Sequence, residues 1–382
     1  MFARALPHWF RHGIDWTRGG FAERLTLSGE ADDPGFKRLL VQARQIYVFS
    51  HAALSDPDRA RRAQWAHAAG HGFDFMVRHY WQGPLRGWAR AVSPEGKPFD
   101  ASAEFYGQTF VLFACAWVYR ALGEAGALAA ASKTLDFLDH HLADAQCGGY
   151  WQGLTAAGEL AQGAPRQQNP HMHLLEALLA LHKATGEKIH LARAAAVYDL
   201  FRTRFFDSGT NTLGEYFTGD WRPLPGPQGQ IVEPGHHFEW AWLLHDYAGS
   251  AGNASAAGYA QAAFAFALEH GVDPESGLAY DAVDRRGARL RPSHRLWPQT
   301  EMLKALIASA EHAPEKHLRE NARARIPAMV AAVFDHYFTA GGGIWNDQLD
   351  AARAPVSQSV PATSLYHLFL AFSETLRLYR GE

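Results

Sequence analysis

The sequence predicts an all-α fold, an (α/α)6 barrel of six helix-pair repeats with an inner ring of parallel helices inside an outer ring. Two observations carry this. A Gly-plus-aromatic loop signature recurs six times, at Phe21, Trp88, Tyr150, Tyr216, Tyr280 and Trp345, spaced 62 to 67 residues apart. Between successive loops lie one run apolar on nearly every side and one amphipathic run. A fixed period means one supersecondary unit reused, and a helix apolar all round is a helix buried all round. Six buried helices flanked by six half-buried ones close economically into two concentric rings. An open superhelical solenoid is the alternative, and burial of all six inner helices favours closure.

The amphipathic runs cover residues 3–16, 57–80, 126–143, 188–206, 254–270 and 315–338. They are often Ala-rich, and their charges fall on one side with a period near 3.6. The apolar runs begin near Phe36, Glu104, Gln168, Gly235, Pro298 and Ala362. The loops between them have room for short hairpins. Nothing marks a domain boundary, so residues 1–382 read as one domain, with the Pro/Gly stretch 223–229 as a long loop.

Hydrophobic residues make up 47% and charged residues 20%, with a formal net charge of −3. That balance is globular. It provides no basic footprint for nucleic acid and no attraction to anionic membrane, and no apolar run reaches the length of a membrane span. The first sixteen residues lack the continuous apolar stretch of a signal peptide. Cys115 and Cys147 make neither a disulfide framework nor a metal knuckle. The expectation is a cytoplasmic monomer or homodimer without nucleic-acid or membrane partners.

Polar residues inside the apolar runs repeat with the same period: Arg44, Tyr106, His173, His236, Glu301 and His367, again 62 to 67 residues apart. Each inner helix thus brings one such side chain to a similar level, mostly near its N-terminus. Helix N-termini favour oxyanions and neutral imidazole, and burying polar groups is costly unless they are paired or used. Asn169 and His173 (i,i+4), His173 and Glu176 (i,i+3), His236 and Glu239 (i,i+3), and Trp297 and Glu301 (i,i+4) share faces. Glu239 is thereby placed to orient His236. The bland readings are an ion pair of Arg44 with Glu23 or another carboxylate and core packing for Tyr106 and Trp297. His171 with His173, and His236 with His237, share no face, so neither pair chelates well; no metal site is expected. No phosphate-cradling glycine loop occurs, and no cofactor is expected.

Neutral histidine bases, carboxylate orienters, an arginine and aromatic walls suit an uncharged polyol. Such a centre can move a proton next to a sugar carbonyl, with Arg44 or helix termini facing the enediolate oxygen. One base gives aldose–ketose isomerisation; two bases on opposite faces of C2 give epimerisation. A glycoside hydrolase using Glu239 with Glu301 and a non-catalytic carbohydrate-binding protein are the competing readings.

Four segments, 169–177 (NPHMHLLEA), 233–244 (EPGHHFEWAWLL), 295–305 (RLWPQTEMLKA) and 361–368 (PATSLYHL), resemble the N-acylglucosamine 2-epimerase superfamily, and 42–52 (QARQIYVFSHA) is similar as well. The resemblance spans nearly the whole chain. It implies an (α/α)6 barrel and a metal-independent sugar epimerase or isomerase, with a 2-epimerase acting on mannose, cellobiose or N-acetylmannosamine as the alternative to the isomerase. It implies substrate binding by Arg44, Asn169 and His173, with His173 facing the carbonyl end, and catalysis by His236, with Glu239 beside it, and His367. Tyr106, Trp297 and Glu301 join the binding set on their positions in the runs. The 295–305 and 361–368 segments look most like D-mannose isomerases, so the expected reaction is D-mannose to D-fructose, with D-lyxose to D-xylulose as a second. Isomerases of this kind often carry a binding Arg upstream of the PGH segment. Here the nearest is Arg222, across a Pro-rich loop.

Overall fold

The computed structural model describes residues 1–339, 341 and 343–381. Among them the chain forms twelve α-helices: α1 (Ala5–His12), α2 (Leu39–Ser55), α3 (Arg59–His79), α4 (Phe105–Leu122), α5 (Ala125–Phe137), α6 (Asn169–Thr185), α7 (Lys188–Leu200), α8 (Pro234–Ala251), α9 (Ala254–His270), α10 (Leu296–His312), α11 (Lys316–Tyr337) and α12 (Ala362–Arg380). Wider π turns, Leu138–Leu142 and Phe201–Phe205, extend α5 and α7. Each odd-numbered helix lies in an amphipathic run and each even-numbered one in an apolar run. The even helices are buried nearly throughout, down to Glu301 and Lys304 of α10. The Ala-rich odd helices bury one stripe, as α9 does with Ala256, Ala260, Ala263, Phe264 and Ala267. Pro at the first turn opens α6 and α8, where no backbone donor is missed. A left-handed glycine closes α4, α6 and α8 at Gly123, Gly186 and Gly252.

The chain divides into two compact units, Met1–Val197 with Val360–Tyr366, and Tyr198–Ser359 with His367–Glu382. In the first, α2 packs on α3 and α4, and α4 on α5 and α6. Residues Arg24–Leu25 pair antiparallel with both Val360–Pro361 and Ala31–Asp32. In the second, α8 packs on α9 and α10, and α10 on α11.

All six loops share one turn. A residue pairs antiparallel with the one seven further on: Ile14 with Phe21, Trp81 with Trp88, Ala143 with Tyr150, Phe206 with Leu213, Val272 with Ala279 and Phe338 with Trp345. Gly20, Gly87 and Gly149 precede the first three closing residues at φ 72°, 65° and 70°, a left-handed region that favours glycine. This corrects the phase of the repeat in two loops. Leu213 and Ala279, not Tyr216 and Tyr280, occupy the repeated position, so what recurs there is the turn and not the ring.

The inner helices grip these turns through one recurrent side chain. Gln42, Gln108 and Gln299 accept the backbone N–H of Phe21, Trp88 and Ala279 at 2.8, 3.0 and 2.7 Å, and return a donor to the same residue's carbonyl. His171 and His237 do the same for the N–H of Tyr150 and Leu213, each at 3.0 Å through Nε2. Their Nδ1 atoms donate to the Gln167 and Glu233 carbonyls, so both rings must be neutral. Burial holds them so, at about 3 for His171 and about 4 for His237. Each pin fixes the rotation of its helix. Two residues further on, about 200° round, stand Arg44, Phe110, His173, Glu239 and Glu301.

Candidate active site

In the second unit, α8, α10 and α12 assemble one constellation. His236 lies in the first turn of α8, and its Nδ1 is 2.9 Å from Glu215 Oε2 and 3.8 Å from Glu233. Arg295 ties Glu233 (3.1 Å) to Asp281 (3.0 Å). Burial by itself would lower the His236 pKa. The charge and hydrogen bond of Glu215, then the charges of Glu233 and Glu239, overcome burial and raise it to about 9. The neutral imidazole expected from the helix terminus is therefore corrected. A helix end carries about half a charge, and two adjacent carboxylates outweigh it. The orienting hydrogen bond also comes from Glu215, not from Glu239 one turn along.

His367, near the start of α12, points Nδ1 at Glu301 Oε1, 2.8 Å away. The carboxylate accepts, so Nδ1 carries the hydrogen and Nε2 is the basic nitrogen. The Lys304 ammonium lies 2.6 Å from Glu301 Oε2 and 4.0 Å from Glu239 Oε1, 3.9 Å from the Trp242 ring centroid, and it is fully buried. Trp297 faces both histidines, its ring 5.0 Å from His236 and 5.8 Å from His367. It rests on Gly235, where a Cβ would meet the indole at 2.5 Å. Glu239, Glu301 and His367 each bring one donor atom within 4.8 Å of the others, a spacing a cation could use. Lys304 already supplies a positive charge there.

The first unit holds a second constellation. Arg44 donates to the Tyr106 hydroxyl at 2.9 Å, and its guanidinium lies 4.4 Å from the Phe110 ring and 4.8 Å from the Tyr366 ring. Glu23 binds Arg38 instead (2.6 Å), so the Arg44–Glu23 pair does not form. His173 Nδ1 is 2.9 Å from Glu176 Oε2, and the Tyr366 hydroxyl donates to both Glu176 oxygens at 2.6 and 2.7 Å. Asn169 opens α6 with Oδ1 buried and no hydrogen-bond partner among the described residues. Arg222 is exposed and pairs with Asp220.

The structure thus brings His236, Trp297, Glu239, Glu301 and His367 together in one unit, and Arg44, Tyr106 and His173 in the other. Sequence reasoning missed Glu215, Lys304 and Tyr366. Lys304 stands i,i+3 from Glu301, a signal that was readable. Glu215 comes from a loop, and no spacing rule reaches it.

A family model described as N-acylglucosamine 2-epimerase (GlcNAc 2-epimerase) matches residues 19–371. The chain belongs to this family. A protein of Rhizobium meliloti (strain 1021) named mannose-6-phosphate isomerase is 35% identical over 374 residues, covering 97% of this chain and 93% of its own. A Bacteroides fragilis cellobiose 2-epimerase is 24% identical over 313 residues, covering 79% and 78%. The crystal structure of a D-mannose isomerase superposes with a TM-score of 0.86 at 24% identity, covering 98% of this chain and 95% of that one. These likenesses establish the (α/α)6 barrel of the N-acylglucosamine 2-epimerase family. Family and relatives place the chain among sugar isomerases and epimerases.

Proposed function

We propose that the chain is an aldose–ketose isomerase that interconverts D-mannose and D-fructose, and D-lyxose and D-xylulose, through a cis-enediolate, without a metal. The observation that carries the reading is the histidine pair that Trp297 faces, at 5.0 and 5.8 Å. His236 is held as an acid by Glu215, while His367 keeps Nε2 as a base through Glu301. In this reading His367 Nε2 takes the proton from C2 of the open-chain aldose, and His236 gives a proton to O1. The enediol then collapses as His367 returns its proton to C1 and O2 gives one back to His236. Trp297 is the wall the sugar lies on. Arg44, Asn169 and His173 are the substrate-binding residues that the resemblance implies, and Tyr106 joins them by its position in the repeat. Arg44 has no carboxylate partner among the described residues, which suits an oxyanion.

In the second unit the cations Arg295 and Lys304 each sit on a carboxylate already. We therefore read the substrate as an unphosphorylated sugar, unlike the one in the name of the R. meliloti relative. The same acid–base pair supports a second reading: an acid facing C2 from the opposite side would protonate carbon and yield the 2-epimer. Incubating the enzyme in D₂O with mannose, mannose 6-phosphate, lyxose, glucose and cellobiose, and separating the products, tests both. Fructose carrying deuterium at C1 supports the first reading, and glucose formed from mannose before any fructose supports the second. Absence of both turnover and deuterium uptake, or unimpaired turnover by both His236→Ala and His367→Ala, overturns the assignment.

A further inference from the structure

Arg295 stands at the N-terminal boundary of α10, two residues before Trp297. Its main chain is held from three directions. Its N–H donates to Asp281 Oδ1 at 2.8 Å, and its carbonyl accepts from Gln299 Nε2 at 2.9 Å and from the Tyr337 hydroxyl at 3.4 Å. Gln299 is the pin that fixes the rotation of α10, so the Arg295 side chain departs at a set angle. It then reaches two carboxylates at once. Nε donates to Asp281 Oδ1 at 3.0 Å and Nη2 to Glu233 Oε2 at 3.1 Å. The guanidinium carbon lies 5.2 Å from the Trp297 ring centroid. A planar fork can hold two carboxylates and an aromatic face together, whereas an ammonium is a point charge with no plane to stack.

The same Glu233 oxygen lies 3.8 Å from His236 Nδ1, and the His236 ring lies 5.0 Å from the Trp297 ring. Contacts therefore run in a closed circuit, from His236 to Trp297, to Arg295, to Glu233 and back. Glu233 immediately precedes α8 and Arg295 immediately precedes α10, so the circuit ties the start of one helix to the start of the other. We propose that Arg295 is a positioning residue that fixes the indole wall relative to the acid histidine, and so sets where O1 of a sugar lying on Trp297 meets His236. It acts through Trp297 and Glu233, and its role rests on the acid–base reading given above. Without the guanidinium the circuit opens at two contacts. The indole loses the charge over its face, and Glu233 loses the cation beside it. An offset of about 1 Å between reacting groups costs about 10²-fold in rate.

The test uses the full-length protein with Arg295→Ala and Arg295→Lys. Steady-state kinetics with mannose separates kcat from KM. Calorimetry follows binding of mannitol, an open-chain polyol with no carbonyl to react, and thermal unfolding follows the fold. In Arg295→Ala kcat should fall about 10²-fold while KM and the mannitol Kd rise several-fold. Millimolar guanidinium chloride should restore part of the lost kcat to Arg295→Ala and none to Arg295→Lys, whose ammonium still fills the space. Arg295→Lys should lose kcat in the same direction at an unchanged melting temperature, because it keeps the charge without the fork. Unchanged kcat in Arg295→Lys overturns the proposal, as does a folded Arg295→Ala that guanidinium does not rescue. If Arg295→Ala does not fold, the Lys variant decides alone. An unaltered protein that turns over no sugar sinks the isomerase reading; the mannitol Kd, weakened in the Ala variant and restored by guanidinium or not, then still decides for or against the positioning role.

Discussion

Glu215→Gln isolates the carboxylate that makes His236 an acid. The amide is nearly isosteric: with its oxygen on the Glu233 N–H, its NH2 faces His236 Nδ1 in place of the carboxylate oxygen, so the charge is lost and the neutral ring with a bare Nδ1 is favoured. His236 has an ordinary value near 6.5 and reaches about 9 in the fold. That difference corresponds to roughly 3 kcal/mol of folding stability at ~1.4 kcal/mol per tenfold. Because the folded value is raised, this stability is fully present below pH 6.5 and is lost as pH rises through about 9. Removing the charge leaves burial opposed only by the Glu233 and Glu239 charges, so the value falls back toward the ordinary one. Denaturant unfolding of both proteins at pH 6, 7.5 and 9.5 is the assay. The variant should be about 3 kcal/mol less stable at pH 6 and nearly equal at pH 9.5. At neutral pH its kcat should fall by about 10² to 10⁴ through loss of the general acid. A stability gap that is constant across this range would refute the reasoning.

Four further outcomes follow from the same geometry. Tyr366→Phe keeps the ring on Arg44 but removes the donor to both Glu176 oxygens; thermal or denaturant unfolding should show a loss of about 1.5–3 kcal/mol, and kcat should drop as His173 loses its fixed partner. Gly235→Ala forces a methyl against the Trp297 indole, so steady-state kinetics should show KM rising several-fold while circular dichroism stays unchanged. His171→Gln substitutes the residue that three other loops already use as the pin, and should leave the melting temperature within a few degrees. His171→Ala, which strands the Tyr150 N–H, should cost about 1–3 kcal/mol in the same measurement.

Most of the fold was legible, because its signals are local. Alternating amphipathic and apolar runs mark all twelve helices, and α9 spans its predicted run, 254–270. The phase of the repeat was less legible. Tyr216 and Tyr280 mimic the signature, whereas Leu213 and Ala279 occupy the turn position, and only the backbone pairing separates them. At the site, helical spacing showed that His236 and Glu239 share a face. It could not show that a loop folds Glu215 over Nδ1 and takes the hydrogen bond first. Helical spacing also paired Trp297 with Glu301, yet the carboxylate of Glu301 turns to His367, 66 residues away in sequence. His171 and His237 drew notice only as neighbours of site histidines, because nothing in the sequence says that imidazole can replace a carboxamide as a pin.

Those pins also make each turn its own clock for hydrogen exchange. The amides of Phe21, Trp88, Tyr150, Leu213 and Ala279 are each held by one side chain from an inner helix, so the exchange rate of each measures the opening of its own loop. Three of the clocks are amide-held and indifferent to acid. The two imidazole-held ones, at Tyr150 and Leu213, come loose as pH falls toward about 3 and about 4, because a protonated ring can no longer accept. Acidification should therefore open the third and fourth loops ahead of the first, second and fifth, and the repeats should come apart from a defined place.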